Sequence, residues 1–177
     1  MIIMYKYSVK VGEKDAGAQV HDVNASPKDF ANICKAIKGK KADKAFTLLE
    51  GAIEKTRAIR YTKFNKGCGH RSELGGKPGR YPKKEAVIVK KLLINAIANA
   101  ANKGLDESEL YVKSARSWKQ NEFQRYRRYW VGSATLGYGK RAVWANYITS
   151  RVEIVVSSVK PPEAKPERTR RKRKKRY

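Results

Sequence analysis

The 177-residue chain carries 41 Lys and Arg against 16 Asp and Glu, a formal charge of +25 with a sequence pI near 10.2. So large an excess of one sign predicts a polyanionic partner and disfavours most small-metabolite enzymes. Hydrophobic residues at 41% suffice for one modest core, and three Trp with ten Tyr give packing material that a wholly disordered chain lacks.

Residues 1–17 read as an N-terminal extension. Within it Tyr5, Tyr7, Val9 and Val11 alternate with polar residues and could form a strand, and strand material over Ala18–Asn24 is assigned to the core sheet. The first helix opens at Ser26, where a capping hydroxyl is followed by Pro27 and, three residues after the cap, by Asp29. Phe30, Ile33, Cys34 and Ile37 then lie along one stripe until Gly39, which makes Cys34 a core residue. A second helix, about Lys41 to Lys55, places Ala42, Ala45, Phe46, Leu49, Ala52 and Ile53 on one face.

From Lys55 to Tyr81 the periodicity lapses. Glycines 67, 69, 75, 76 and 79 accompany Arg57, Arg60, Lys63, Lys66, Arg71, Lys77 and Arg80, with Tyr61, Phe64 and Tyr81 interleaved. Planar rings among cations predict an ordered, RNA-facing segment rather than a free linker. Pro82 begins the longest helix, to about Lys103, with Val89, Leu92, Leu93, Ala96, Ile97 and Ala100 on its apolar face and Lys84, Lys91, Asn95, Asn99 and Asn102 opposite.

After Asp106 the period shortens. Leu110–Lys119 and Ala142–Ser158 read as two strands, with Ile148, Val152, Ile154 and Val156 alternating with polar or charged neighbours. Paired, they form a long hairpin over about residues 110–157. Its outer part, with Trp118, Lys119, Phe123, Arg125, Tyr126, Arg127, Arg128, Tyr129 and Trp130, crowds rings and cations suited to stacking and phosphate contact. That pattern indicates nucleic acid without separating RNA from DNA. Residues 159–177 turn to proline and then to a basic run that includes Arg168, Arg170, Arg171 and Arg173; such a tail cannot bury a core and is expected to be disordered until phosphates order it.

The same residues give little to catalysis. Cys34, Cys68, His21 and His70 are the whole supply of soft metal ligands, without a Cys-x-x-Cys, and Cys68 beside His70 lacks an orienting third group for nucleophilic chemistry. The window ending at Gly139 and Lys140 fails the phosphate-loop pattern, because it begins at Ala134 and Arg141 follows the lysine. Glu73, Glu85 and Glu122 are isolated, so no two-metal site forms from local spacing. The expectation is no enzyme, no metal and no cofactor. Two cysteines make no disulfide framework and fit a reducing compartment, Met1–Met4 is too short for a secretory leader, and no apolar run approaches the roughly 20 residues that cross a bilayer, so a soluble cytoplasmic protein without membrane insertion is expected.

Several short motifs in order carry a resemblance. Ile37-Lys-Gly-Lys40, Asn65-Lys-Gly67-Cys-Gly69-His70, Gly79-Arg-Tyr-Pro-Lys-Lys84, Asn95-Ala-Ile-Ala-Asn-Ala100 and Lys103-Gly-Leu-Asp106 resemble the universal large-subunit ribosomal protein twenty-two family in its archaeal and eukaryotic form, eukaryotic protein seventeen. The likeness covers about Ala18 to Ser158. It implies an α+β domain over 18–158, three helices packed on a small three-stranded antiparallel sheet, with a long β-hairpin projecting through ribosomal RNA to the wall of the nascent-polypeptide exit tunnel. It also implies assembly of the large subunit, with its RNA, neighbouring ribosomal proteins and the nascent chain in transit as partners. By position, Gly67, Gly69, His70, Arg71, Arg80, Lys83 and Lys84 would touch RNA, while Arg125, Arg127, Arg128, Lys140 and Arg141 would belong to the hairpin extension. The family often has Pro-Arg-Ala-x-Gly-Arg-Ala there, where this chain has Gly139-Lys-Arg-Ala142 after a longer aromatic segment. The alternative is a free-standing RNA- or DNA-compacting protein, which needs neither the hairpin nor the loop motifs; a nuclease or RNA-modifying enzyme is the weaker rival.

Overall fold

A computed structural model describes residues 6–123, 136–137, 141–142 and 147–159. The elements run β1 (Asp15–Val23), α1 (Pro27–Ile37), α2 (Ala42–Ile53), β2 (Ile59–Arg60), β3 (His70–Arg71), β4 (Lys77–Arg80), α3 (Lys83–Ala101), β5 (Tyr111–Phe123), β6 (Leu136–Gly137), β7 (Arg141–Ala142) and β8 (Tyr147–Ser157). Three helices cover one face of an antiparallel sheet ordered β1-β8-β5, the expected α+β arrangement. The predicted tail and the tip residues Arg125, Tyr126, Arg127, Arg128, Tyr129 and Trp130, with Lys140, lie outside the described residues.

The helix ends follow their sequence signals. Ser26 Oγ accepts the Asp29 N–H at 3.4 Å, Pro27 opens α1, and Gly39, at φ +79, lets the chain turn after it. Phe30, Ile33, Cys34 and Ile37 are buried as the stripe required, and burial pushes the Cys34 thiol up to about 12. Val89, Leu92, Leu93, Ala96 and Ala100 of α3 meet Ala16 and Ala18 of β1 and Val152, Ile154 and Val156 of β8 in one apolar cluster. Gly104, at φ +75, follows the last turn of α3. Asn99, expected to face away from the body, donates through Nδ2 to Gly17 O at 2.9 Å and pins α3 against β1.

Other expectations need correction. The strand predicted from Ala18 begins at Asp15, because Asp15 and Ala16 already pair with Ser157 and Val156. Residues 6–11 form no strand; they cross the outer face of the sheet instead, with the Tyr7 ring against Gly17, where an added Cβ would stand 2.8 Å from it. Under this strap lies Glu153, 1% exposed, although its charge and the strand alternation predicted an outward residue. Its carboxylate accepts from Ser8 N at 2.9 Å and Ser8 Oγ at 2.8 Å and lies 3.6 Å from the Arg151 guanidinium. Arg151 in turn donates to Lys6 O and sits over the Trp118 ring, so the charge is paired and hydrogen-bonded as burial demands.

The hairpin ladder runs from Tyr111 opposite Ser157 to Phe123 opposite Tyr147, and β6 pairs with β7 beyond it. Where β1 ends, Asp22 adopts φ +51. Its Oδ1 accepts from Asn121 Nδ2 at 2.8 Å and Thr149 Oγ1 at 3.3 Å, while its N–H donates to Gln120 Oε1 at 2.9 Å. One residue of the first strand thus holds both arms of the hairpin at its root.

Candidate nucleic-acid interface

The segment expected to be an irregular loop, Lys55–Tyr81, builds a second sheet ordered β2-β4-β3 with a 3-10 turn at Ser72–Leu74. Periodicity missed it because its strands are two to four residues long and are held by polar anchors. Asn32, buried in the middle of α1 on the side that meets this module, is the first anchor. Its Oδ1 accepts from Thr62 N at 3.2 Å and Lys63 N at 3.3 Å, and its Nδ2 donates to Lys63 O at 3.0 Å and Lys28 O at 2.9 Å. Glu73 is the second, accepting from Ala58 N at 2.8 Å and Tyr81 Oη at 2.6 Å. These two bonds, the phenol first, hold the Glu73 carboxyl below its usual range, and the bond to Glu73 pushes the Tyr81 phenol up. Gly79 is the third: a Cβ there would stand 2.5 Å from the Leu74 side chain and 3.0 Å from Ile59 O, so a larger residue would displace Leu74 and crowd the approach of β4 to β2.

Tyr61 corrects the sequence reading. It was grouped with the RNA-facing rings, yet it is 2% exposed and belongs to the core. Its phenol donates to Asp29 Oδ1 at 2.6 Å, and burial, reinforced by that carboxylate, pushes its ionisation far up. Phe64, by contrast, is 54% exposed, with Lys28 Nζ 5.6 Å from its ring centre.

With its backbone anchored by the buried Asn32 and the surface carboxylate of Glu73, the module turns its cations outward. Arg57, Arg60, Lys63, Lys66, His70, Lys77, Arg80, Lys83 and Lys84 are all exposed, and Arg71 is half-buried. Arg80 donates to Gly67 O at 3.3 Å, and the guanidinium of Arg71 lies 5.0 Å from the centre of the Tyr81 ring. The register sets Arg71 opposite Lys77, a like-charge pair that an anion placed between them would relieve. Gly67, at φ +69, supplies the left-handed turn that leads to Gly69 and His70. The predicted residues of this segment therefore come together on one module.

A neighbouring groove was missed. Between α1 and β5 lies a cleft of about 330 Å³ whose walls carry Lys35, Lys38, Lys63 and Arg116, with Trp118 at one side. Lys35 also donates to Thr62 Oγ1 at 3.1 Å, joining the helix to the module. The signal was present in the polar face of α1, where Lys35 and Lys38 are one turn apart, but it became meaningful only once β5 was seen to lie alongside. Trp118, assigned to the outer hairpin, belongs to the sheet body against Arg151. Lys119 pairs with Glu122 across the bulge in β5; an exposed pair of this kind contributes about 0–1 kcal/mol and yields readily to phosphate. Arg141 lies in β7, paired with Gly137.

Several carboxylates are engaged away from this surface: Asp15 with Lys113, Glu50 with Lys90, Glu153 with Arg151 and Ser8, Glu85 with the Ser26 N–H; Glu73, within the module, is held by Ala58 and Tyr81 beside Arg71. Among the described residues no cluster of His, Cys, Asp and Glu could hold a metal ion. An anchored array in which outward cations far outnumber carboxylates, with rings beside them, can bind a phosphate backbone and stack exposed bases.

Comparison with known proteins agrees with the sequence motifs. The uL22 protein of the large ribosomal subunit from Methanothrix thermoacetophila is 34% identical over 155 residues, 87% of this chain and 97% of that protein. Its counterpart from Archaeoglobus fulgidus is 38% identical over 134 residues, 75% and 86% of the two chains. That from Methanosphaera stadtmanae is 42% identical over 107 residues, 60% and 70%. The family described as ribosomal protein L22p/L17e matches residues 18–157, from β1 through the end of β8, and the chain belongs to it.

Proposed function

We propose that this protein is a structural constituent of the large ribosomal subunit, located with the ribosome in the cytoplasm. It binds ribosomal RNA through the β2-β4-β3 module and the α1/β5 groove, helps the subunit assemble, and carries its hairpin to the wall of the nascent-polypeptide exit tunnel. The observation that carries the reading is the agreement of two independent features: the family match over residues 18–157, and a cation-bearing module whose backbone is fixed by side-chain anchors. The family is one of structural proteins, and the chain is not an enzyme.

Residues 18–158 act as the RNA-binding domain, 1–17 as an extension and 159–177 as a basic tail that adds non-specific phosphate contacts. The Asp22 anchor supports the tunnel role, because an arm that must cross RNA needs a fixed direction at its root. Neighbouring ribosomal proteins and the nascent chain complete the partners.

Two measurements test this. Large subunits washed in high salt should retain the tagged chain, whereas a free-standing compacting protein would wash off. A photo-crosslinker at Tyr129 or Trp130 in stalled ribosomes should capture nascent peptide; labelling confined to RNA and neighbouring proteins would remove the tunnel role and leave the scaffold role.

A further inference from the structure

The charge of this molecule is unevenly placed. On the side formed by α2 and α3, Ala42, Phe46, Ile94 and Ile97 line an open groove of about 470 Å³ closed by Asp43, Glu107 and Ser108. No lysine or arginine is among the lining residues, on a protein of net charge +25. Ile94 is 49% exposed at its edge. The ion pairs among the described residues engage Glu50, Asp15, Glu122 and Glu153; none engages Asp43 or Glu107. Exposed Asp106, which precedes the 3-10 turn Glu107–Glu109, and exposed Glu109 within it add to the negative field.

Such a groove repels phosphate and offers it no donor side chain beyond one hydroxyl, so RNA is a poor occupant. It suits a chain of opposite charge with an apolar anchor. We infer that this groove docks an extended segment of another large-subunit protein, in which Lys or Arg residues flank one aliphatic or aromatic side chain. The anchor enters between Phe46 and the Ile94–Ile97 edge, while the flanking cations meet Asp43 and Glu107. The inference rests on the ribosomal reading above, and gives the molecule an RNA side and a protein side.

The test uses the full chain in assembled subunits, with a benzophenone amino acid at Ile94 and, separately, at Ser108. Illumination should capture one defined peptide of another large-subunit protein, with basic residues on both sides of an apolar one, and Asp43→Lys combined with Glu107→Lys should lower the yield at least tenfold. The synthetic peptide so identified should bind the purified full chain, weaken at least tenfold against the charge-reversed variant, and regain affinity when its own cations are exchanged for Glu. Crosslinks to ribosomal RNA, to the chain's own tail or to a second copy would overturn the inference, as would no crosslink at either position or equal capture by the charge-reversed variant. A chain absent from washed subunits would defeat the ribosomal reading itself, whereas a chain present there but crosslinked to RNA from Ile94 defeats the groove alone.

Discussion

The helix-covered sheet and the β2-β4-β3 module solve the same problem by different means. In the sheet body, regular stripes of Val, Ile, Leu and Ala bury against one another, and position is set by apolar packing. In the module there is little to bury, and position is set by a few side chains that satisfy backbone donors and acceptors: Asn32, Glu73 and the close approach at Gly79. The difference shows how a surface can be both rigid and densely cationic. Anchors that spend Asn32 and Glu73 on backbone groups, rather than on cations alone, leave Lys63, Lys66 and Lys77 exposed toward an external anion.

The comparison breaks most sharply in the core. Leu93→Ala removes a fully buried side chain from the centre of the cluster and should cost about 2–5 kcal/mol, read as a lower urea midpoint for the whole domain. Asn32→Ala should do less and act locally. It strands the Thr62 and Lys63 amides and the Lys63 carbonyl, about 1–3 kcal/mol, so hydrogen exchange should quicken in the module while the helix signal stays. Equal loss of both signals would mean that the module and the body are one cooperative unit.

The smallest effect concerns the edge of the main sheet. Burial alone would raise the Asp15 carboxyl, but bonds from Lys113, the Gly12 amide and Ser157 outweigh it and leave it lowered. A depressed carboxylate contributes stability that is present above its unfolded value, about 3.9, and is lost as pH falls through the folded one. Wild type should therefore lose stability as pH drops below about 4, and Asp15→Asn should be less stable at neutral pH but flatter across that acid range. A variant with the unchanged acid slope would remove Asp15 from the account.

How far the sequence reached follows from the same division. The helices, their caps and the buried stripes were legible, because Ser26, Pro27, Gly39 and Gly104 act locally and the 3.6-residue period of α3 repeats over several turns. The short strands at Ile59–Arg60 and His70–Arg71 were not, since two residues hold no period and their anchors lie up to thirty-one positions away. Tyr61 was misplaced for a related reason: a ring among cations looks the same in sequence whether it stacks on a base or donates to Asp29 from inside the core. The burial of Glu153 was not legible because the residues that cover it, Ser8 and the strap of residues 6–11, come from the far end of the chain. The cations of the module were found by composition and motif, while Lys35, Lys38 and Arg116 needed the neighbouring strand to become a groove.

If the module's outward cations seat this protein in the large subunit, their removal should weaken its incorporation without unfolding it. Arg80, Lys83 and Lys84 are exposed, the last two at the start of α3 away from its apolar stripe, so replacing all three with alanine spares the core. Co-expressed with wild type under separate tags, the triple variant should keep its helix content and be depleted from washed large subunits relative to its share of the total protein. Incorporation in proportion to its abundance would contradict the claim.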